Sequence, residues 1–152
     1  MISKYLGHRD EIVGFAFSSA DRFVSADLAG EVLAWQVDKS SAMGSLYTAN
    51  SQVQSLAITP DGETLYLGLE DGSLVVLDIG YDIKARAREP RLIDNSHSFA
   101  IRSIDVSADG RIASSDNAGK VFIHSLAYKA QQNFATFGFV FVGGSLPLAA
   151  IF

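Results

Sequence analysis

Apolar and polar residues alternate in short runs along most of the chain, and this pattern occurs three times. The runs that open the three units are Ile12–Phe17, Val53–Ile58 and Ile101–Val106. A period of two with β-branched and aromatic residues predicts β-strands, because successive side chains of a strand point to opposite faces. No stretch shows a long helical period. The pattern therefore predicts an all-β chain.

Each unit continues with two turns. A polar turn follows the first strand, and at 59–62 it reads Thr-Pro-Asp-Gly, which suits a tight hairpin. A second turn is closed by Gly30, Gly72 and Gly119, which lie 42 and 47 residues apart (72 − 30 and 119 − 72). Recurrence at this period predicts a repeat architecture, with three hairpin-linked strands and a weaker fourth strand in each unit.

Four-stranded antiparallel units of this size form the blades of a β-propeller. The predicted blades are residues 8–49, 50–95 and 96–136, with a partial blade at 137–152, and Met1–Leu6 is predicted to be the outer strand of a preceding blade. Because propellers have about four to eight blades, this arrangement predicts an incomplete ring. Either the chain is a portion of a longer propeller protein, or copies of it share one ring as a homo-oligomer.

The first unit carries Gly7-His8 before its first strand and Trp35-Gln36 at the end of its third strand. In these residues the chain resembles the WD40-repeat family over about residues 2–126. The resemblance implies a β-propeller that acts as a non-catalytic scaffold for protein–protein interactions in a multiprotein complex. It also implies a buried hydrogen-bonded network of His, Ser or Thr, Asp and Trp within a blade.

The structural residues of this network are matched only in part. In the first unit His8, Ser25 and Trp35 match, while Ala occupies the Asp position and Asp27 stands two residues earlier as its substitute. In the second unit Asp71 alone matches. No unit therefore carries the whole set, and we expect polar contacts to order blade 1 and packing of Leu, Val and Ile to order blade 2.

The other two histidines are expected to lie in different environments. His97 lies in a polar connection before the third unit and is expected to be a loop residue that offers a contact on the binding face. His124 occupies the Trp position of the third unit and is expected to pack inside the blade. Three separated histidines without a metal-ligand spacing predict no metal site.

Composition narrows the function further. The net charge of −5, from 17 acidic and 12 basic residues, argues against a nucleic-acid-binding surface over the whole domain. The chain has no Cys, which fits a reducing compartment, and we expect it in the cytoplasm or nucleus. It also lacks a phosphate-binding Gly-rich loop, a calcium loop and a nucleophile elbow. The sequence therefore predicts no catalytic residue and no cofactor.

Two surfaces are candidates for binding a protein partner. The connections between blades and the Gly turns lie at one end of the predicted blades, where loops on a rigid scaffold concentrate binding residues. The candidates there are Arg9, Asp10, Glu11, Asn50, Gln52, Glu70, His97, Phe99 and Asn117. The second surface is a basic segment, either a solvated connector or a docking strip for an acidic protein or RNA phosphate. Its residues are Lys84, Arg86, Arg88 and Arg91.

Two alternatives to a soluble scaffold stay open. Residues 60–79 also resemble the repeats of bacterial enzymatic or quinone-binding propellers, which would place a substrate or cofactor in the central channel. Residues 134–152 contain no charged residue and have the length of a membrane anchor. Against an anchor stand the Gly143-Gly144 pair, Pro147 and the Phe/Val alternation.

Overall fold

The computed structural model describes residues 2–80, 89–93, 97–125 and 137–141. Every regular element in these ranges is a β-strand, and the strands form three antiparallel sheets of four strands each. None of the described residues belongs to a helix that is long and apolar enough to cross a membrane. The predicted fold class, an all-β chain of four-stranded blades in an incomplete ring, is confirmed.

Each sheet takes its strands in chain order from an inner strand to an outer one, and we call the sheets blades 1, 2 and 3. Blade 1 contains β1 (Ile12–Phe17), β2 (Arg22–Asp27), β3 (Glu31–Gln36) and β4 (Gly44–Thr48). Blade 2 contains β5 (Val53–Ile58), β6 (Thr64–Leu69), β7 (Leu74–Asp78) and β8 (Arg91–Ile93). Blade 3 contains β9 (Ile101–Val106), β10 (Arg111–Asp116), β11 (Val121–Ser125) and β12 (Phe137–Phe141). The inner strands β1, β5 and β9 pack side by side.

The recurrent glycines make the turn between the second and third strand of each blade. The backbone φ angle is 92° at Gly30, 86° at Gly72 and 79° at Gly119. Glycine adopts these positive angles without the steric penalty that a Cβ imposes. The repeat period in the sequence therefore reflects a backbone requirement that recurs once in each blade.

Side chains alternate between two faces of each blade. We call the face toward the preceding blade the near face and the face toward the following blade the far face. The far face of blade 1 and the near face of blade 2 share one apolar cluster, which includes Val24, Ala26, Val32, Leu65, Leu67 and Leu77. The far face of blade 2 and the near face of blade 3 share a second, which includes Tyr66, Leu74, Val76, Ile101, Ile104 and Ile112. Blade 2 is thus apolar on both faces.

One strand belongs to a different blade from the one predicted. The sequence pattern assigned 137–152 to a partial fourth blade, but β12 pairs with β11 and is the outer strand of blade 3. The alternation of a strand does not specify which neighbouring edge it joins. Residues 131–136, where the fourth strand of blade 3 was predicted, and residues 142–152 lie outside the described ranges.

The N-terminal segment also differs from the prediction. Residues 2–6 contain no strand, and Leu6 makes a single parallel bridge with Ser41. The ring of Tyr5 packs edge-on against Trp35, with 5.8 Å between ring centroids. This aromatic contact holds the segment against blade 1, so the prediction of an outer strand for a preceding blade is wrong for these residues.

Candidate functional site

Blade 1 contains a buried hydrogen-bond network that joins three of its segments. His8 Nδ1 lies 2.8 Å from Asp27 Oδ2, and His8 Nε2 lies 2.6 Å from Ser25 Oγ. Trp35 Nε1 donates to the same Ser25 Oγ at 2.7 Å. Asp27 therefore supplies the carboxylate of a complete network, and the expectation that no blade carries the whole set is wrong.

The donors and acceptors of this network determine where its protons lie. The Trp35 indole can only donate, so Ser25 Oγ accepts from it and gives its own proton to His8 Nε2. His8 then carries its proton on Nδ1 and donates it to Asp27. The other oxygen of Asp27 accepts the Glu31 N–H at 2.9 Å. In these bonds every donor is therefore matched to an acceptor.

Blade 3 contains a second network in which a histidine replaces the tryptophan. His97 Nδ1 lies 2.9 Å from Asp116 Oδ2, and His97 Nε2 lies 2.8 Å from Ser114 Oγ. Ser114 Oγ lies 3.0 Å from His124 Nε2. The prediction that His97 contacts a partner from a loop is wrong, because its ring is buried and both of its nitrogens are hydrogen-bonded within the blade. His124 is buried inside the blade, as predicted.

His124 takes the place of the indole donor but leaves one of its nitrogens unsatisfied. By the proton order of blade 1, Ser114 donates to His97, and His124 Nε2–H donates to Ser114. The remaining nitrogen, His124 Nδ1, is buried without a partner among the described residues. Burial lowers the pKa of His124 below its usual 6.5, and the nearby His97 lowers it further.

The Asp116 carboxylate at the other end of the network remains ionised. Burial acts to raise the pKa of Asp116, but hydrogen bonds from His97 and from the backbone N–H groups of Lys120 and Ala118 outweigh burial and lower it. The blade 3 network therefore combines a stabilised carboxylate with a histidine that resists protonation.

The stability of the protein is expected to fall as the pH decreases from about 7 to about 5. The folded-state pKa of His124 is lowered from 6.5, so its contribution is present above 6.5 and is lost as the pH falls through the folded value. The contribution of Asp116 is lost only below its usual 3.8, so the loss of stability that begins as the pH falls below 6.5 is assigned to His124. Urea unfolding at several pH values measures how steeply the free energy of unfolding changes with pH.

A His124→Gln variant is the matched control for this pH dependence. The Gln side-chain amide can donate to Ser114, as His124 Nε2–H does, but it does not titrate in this range. We expect the variant to lose less stability between about pH 7 and about pH 5 than the native chain. Equal slopes in the two proteins would contradict the role assigned to His124.

The sequence contained a signal for the second network. His8 precedes Ser25 by 17 residues and Asp27 by 19, and His97 precedes Ser114 and Asp116 by the same intervals. The tryptophan and its histidine replacement both follow the serine by 10 residues. Blade 1 therefore provides the spacing that identifies His97.

The blade 2 residue Asp71 was assigned to the wrong position. The network carboxylate is the last residue of the second strand, and in blade 2 that residue is Leu69. Asp71 lies two residues beyond it, is exposed and accepts only the Ser73 N–H in the described structure, at 2.9 Å. Leu67 and Leu77 occupy the serine and tryptophan positions, so apolar packing replaces the network in blade 2.

The order Asp116–His97–Ser114 is that of a hydrolase triad, but its surroundings are those of a structural network. The Ser114 side chain is buried, at 1% exposure, and its hydroxyl is held between two histidine rings. A nucleophile must reach its substrate, and this serine lies within a packed blade. The network therefore stabilises blade 3.

The His8 network is also the place where possible metal ligands come together. Ligand atoms of His8, Asp27 and Glu31 lie within 4.8 Å of one another. Both ring nitrogens of His8 already bond to Asp27 and Ser25, so a metal ion would have to displace those hydrogen bonds. We therefore treat the cluster as structural.

Most of the candidate binding residues lie exposed at one end of the blades, which we call the upper face. It consists of the connections that lead into β1, β5 and β9 and of the three Gly turns. The exposed candidates there are Arg9, Asp10, Glu11, Asn50, Gln52, Glu70, Phe99 and Asn117. Their participation in binding stays a prediction.

Sequence reasoning missed two upper-face residues, Gln54 and Arg102, whose hydrogen bond joins blade 2 to blade 3. Arg102 Nε donates to Asn117 Oδ1 at 2.6 Å, and Arg102 Nη1 donates to Gln54 Oε1. Arg102 and Gln54 lie within inner strands, so their alternation resembles that of any half-buried strand. Only the packing of β5 against β9 brings them together.

The basic segment can be placed only in part. Arg91 is the first residue of β8 and is exposed. Lys84, Arg86 and Arg88 lie outside the described residues, so the docking strip stays a prediction. The same holds for most of the predicted membrane anchor, of which only 137–141 is described, as strand β12.

Three four-stranded blades, packed through their inner strands and closed by recurrent Gly turns, define the described chain as part of a β-propeller. The described chain shares this fold with solved WD40 domains. It resembles the C-terminal WD40 domain of Sif2 at 15% identity and a TM-score of 0.65, over 78% of this chain and 35% of that one. It resembles the WD40 β-propeller domain of Doa1 at 17% identity and a TM-score of 0.67, over 80% and 39%.

A third similar structure is the computationally designed Ika4 protein, at 20% identity and a TM-score of 0.63, over 78% of this chain and 68% of that one. The chain spans little more than a third of the two natural WD40 domains. No protein-family model and no curated protein matches this sequence. The resemblance to the fold of WD40 domains is confirmed.

Proposed function

We propose that this protein is a non-catalytic scaffold that binds a segment of a partner protein on its upper face, within a multiprotein complex of the cytoplasm or nucleus. The observation that carries the proposal is that Phe99 and Arg102, three residues apart at the start of β9, are both exposed. Phe99 is 53% exposed, and aromatic and Arg side chains are enriched among interface hot spots.

Arg102 is positioned to bind an acidic group. Its hydrogen-bond partners, Asn117 and Gln54, are neutral amides, and no ion pair of Arg102 occurs among the described residues. These bonds hold the guanidinium in one orientation while its charge stays uncompensated. A carboxylate on a partner would form a charge-assisted hydrogen bond there.

The spacing of the two residues defines the partner chemistry. Phe99 and Arg102 are three residues apart, so their Cα atoms are at most about 11 Å from each other. A partner segment with an apolar and an acidic side chain a few residues apart would contact both. The fixed backbone of blades 2 and 3 keeps the pair preorganised, which reduces the entropic cost of binding.

The test is quantitative recovery of bound proteins by the intact protein and by two variants, Phe99→Ala and Arg102→Ala. Each substitution is expected to lower recovery of a specific partner by about tenfold or more, because truncating a hot spot costs over about 1.4 kcal/mol. The matched control is Leu92→Ala, since Leu92 is 59% exposed but lies on the outer strand β8. Unchanged recovery by both upper-face variants would refute this binding site.

A further inference from the structure

Blade 1 exposes apolar side chains along its inner strand that no other described blade covers. On the inner strand, Ile12, Phe15 and Phe17 are 54%, 68% and 58% exposed. Phe17 packs on the neighbouring Phe23, with 5.5 Å between ring centroids. These four residues form the inner part of the near face of blade 1, while Tyr5 covers the part around Trp35 and also contacts Phe23, with 5.2 Å between ring centroids. Clustered exposed apolar side chains of this kind mark an interaction surface.

The equivalent positions in the other two blades are covered by a preceding blade. They share the same register to the second strand, and they are Val53, Leu56 and Ile58 in β5 and Ile101, Ile104 and Val106 in β9. All six are buried or half-buried. In blades 2 and 3, the equivalent positions pack against the far face of the preceding blade. The near face of blade 1 therefore carries apolar residues at positions where a blade could pack.

The far faces that cover these positions carry small residues. A Cβ on Gly14 would lie 3.2 Å from Leu56 Cδ2, and a Cβ on Gly68 would lie 2.6 Å from Ile101 Cγ2. Between blades 2 and 3, Ser55 Oγ also donates to the Ile101 carbonyl at 2.8 Å. A covering blade therefore needs small side chains at these positions, and a hydroxyl adds an inter-blade hydrogen bond.

The far face of blade 3 meets these requirements. Ser103 pairs with Ser115 just as Ser55 pairs with Gly68, so it occupies the position of the Ser55 hydroxyl. The Ser103 side chain is exposed and makes no hydrogen bond within the described ranges. Small residues at 103, 113 and 115 leave room for large ones opposite, such as the two phenylalanines of blade 1.

From this complementarity we infer that the near face of blade 1 binds the far face of blade 3 of a second copy of this chain. The Ser103 hydroxyl of one copy donates to the Ile12 carbonyl of the other, as Ser55 does to Ile101. Asp105 stands on this far face where blade 2 has Ala57. Its charge makes the contact weaker than the two interfaces within the chain.

The number of blades determines the number of copies. Propeller rings contain about four to eight blades. Two copies of the three described blades give a ring of six, whereas three copies give nine, which exceeds that range. The two head-to-tail contacts are then identical and are related by a twofold axis. This inference goes beyond the proposed function and does not depend on partner binding.

The full chain is tested by sedimentation velocity over a range of concentrations. A species of twice the 16.3 kDa chain mass is expected for the native protein. A Phe15→Ser/Phe17→Ser double variant is expected to raise the dissociation constant at least about 100-fold, since both side chains are central anchors. Leu92→Ser, at a position 59% exposed on the outer strand β8 of blade 2, is the matched control and leaves the mass unchanged.

A mixing experiment tests the head-to-tail geometry independently. Ser103→Trp blocks the far face of blade 3 and leaves the near face of blade 1 intact, so this variant alone is expected to be monomeric. When it is mixed with the double variant, one of the two contacts joins two intact faces, and a one-to-one dimer weaker than the native dimer is expected. Circular dichroism checks that each variant retains its β-structure.

Three results would overturn the inference. One is a native chain that stays monomeric at every concentration, which would instead favour a preceding blade from a longer protein as the occupant. The second is a native dimer that both variants leave intact. The third is a pair of monomeric variants that fail to associate when mixed.

Discussion

Replacing Gly72 by alanine is expected to lower the free energy of unfolding by about 3 kcal/mol. Two costs add at this position. The backbone φ of 86° is strained for any residue with a Cβ, by about 1–2 kcal/mol. The new Cβ would also lie 2.3 Å from the His97 carbonyl oxygen and 2.9 Å from its carbon, and neither backbone atom can rotate away. The Gly72 turn of blade 2 would then be forced off the segment that leads into blade 3.

Gly119→Ala provides the matched control, because it changes the equivalent turn of blade 3. Gly119 has a similar φ of 79°, but none of the described residues places an atom within 4 Å of the added Cβ. We expect this variant to lose only about 1 kcal/mol, from backbone strain alone. Denaturant unfolding of both variants isolates the steric cost. Equal losses would mean that the two blades are not in tight contact at this turn.

The second large effect is expected for Asp27→Asn, a loss of about 3 kcal/mol in the free energy of unfolding. The asparagine oxygen replaces Asp27 Oδ1 and accepts the Glu31 N–H, so its NH₂ group faces His8 Nδ1. His8 must then move its proton to Nε2 and donate to Ser25. Ser25 Oγ already accepts from Trp35, which has no acceptor atom, so the serine proton loses its partner inside the blade.

Asp116→Asn tests the same change in blade 3, where the protons of the network can shift to new positions. Here His97 donates to Ser114, and Ser114 can pass its proton to His124 Nε2, because a histidine accepts where a tryptophan cannot. The unpartnered group remains at His124 Nδ1, as it was before the substitution. We therefore expect a loss of about 1–2 kcal/mol. Denaturant unfolding compares the two variants, and a larger loss for Asp116→Asn than for Asp27→Asn would contradict the proton order.

The candidate site shows how far sequence reasoning extended. His8, Ser25 and Trp35 were identified through the resemblance to the WD40-repeat family. His97 was assigned to an exposed loop, because its neighbours in the sequence are polar and its partners lie 17 and 19 residues away. Asp71 was matched to the network aspartate because a turn aspartate resembles it until the end of the second strand, Leu69 in blade 2, is known. Both errors arose because the sequence does not show which residues of separate strands lie next to each other in the folded blade.

The sequence by itself determined the three hairpin-linked strands of each blade, their turns and the repeat of three blades. Strand alternation and the positive φ of a turn glycine are properties of neighbouring residues, so they can be recognised without knowing the fold. Only the tertiary structure decided that β12 belongs to blade 3, that His97 and Asp116 form a buried network, and that the inner part of the near face of blade 1 is exposed. Each of these depends on which distant segments meet, and pairing between blades is set by packing rather than by local preference.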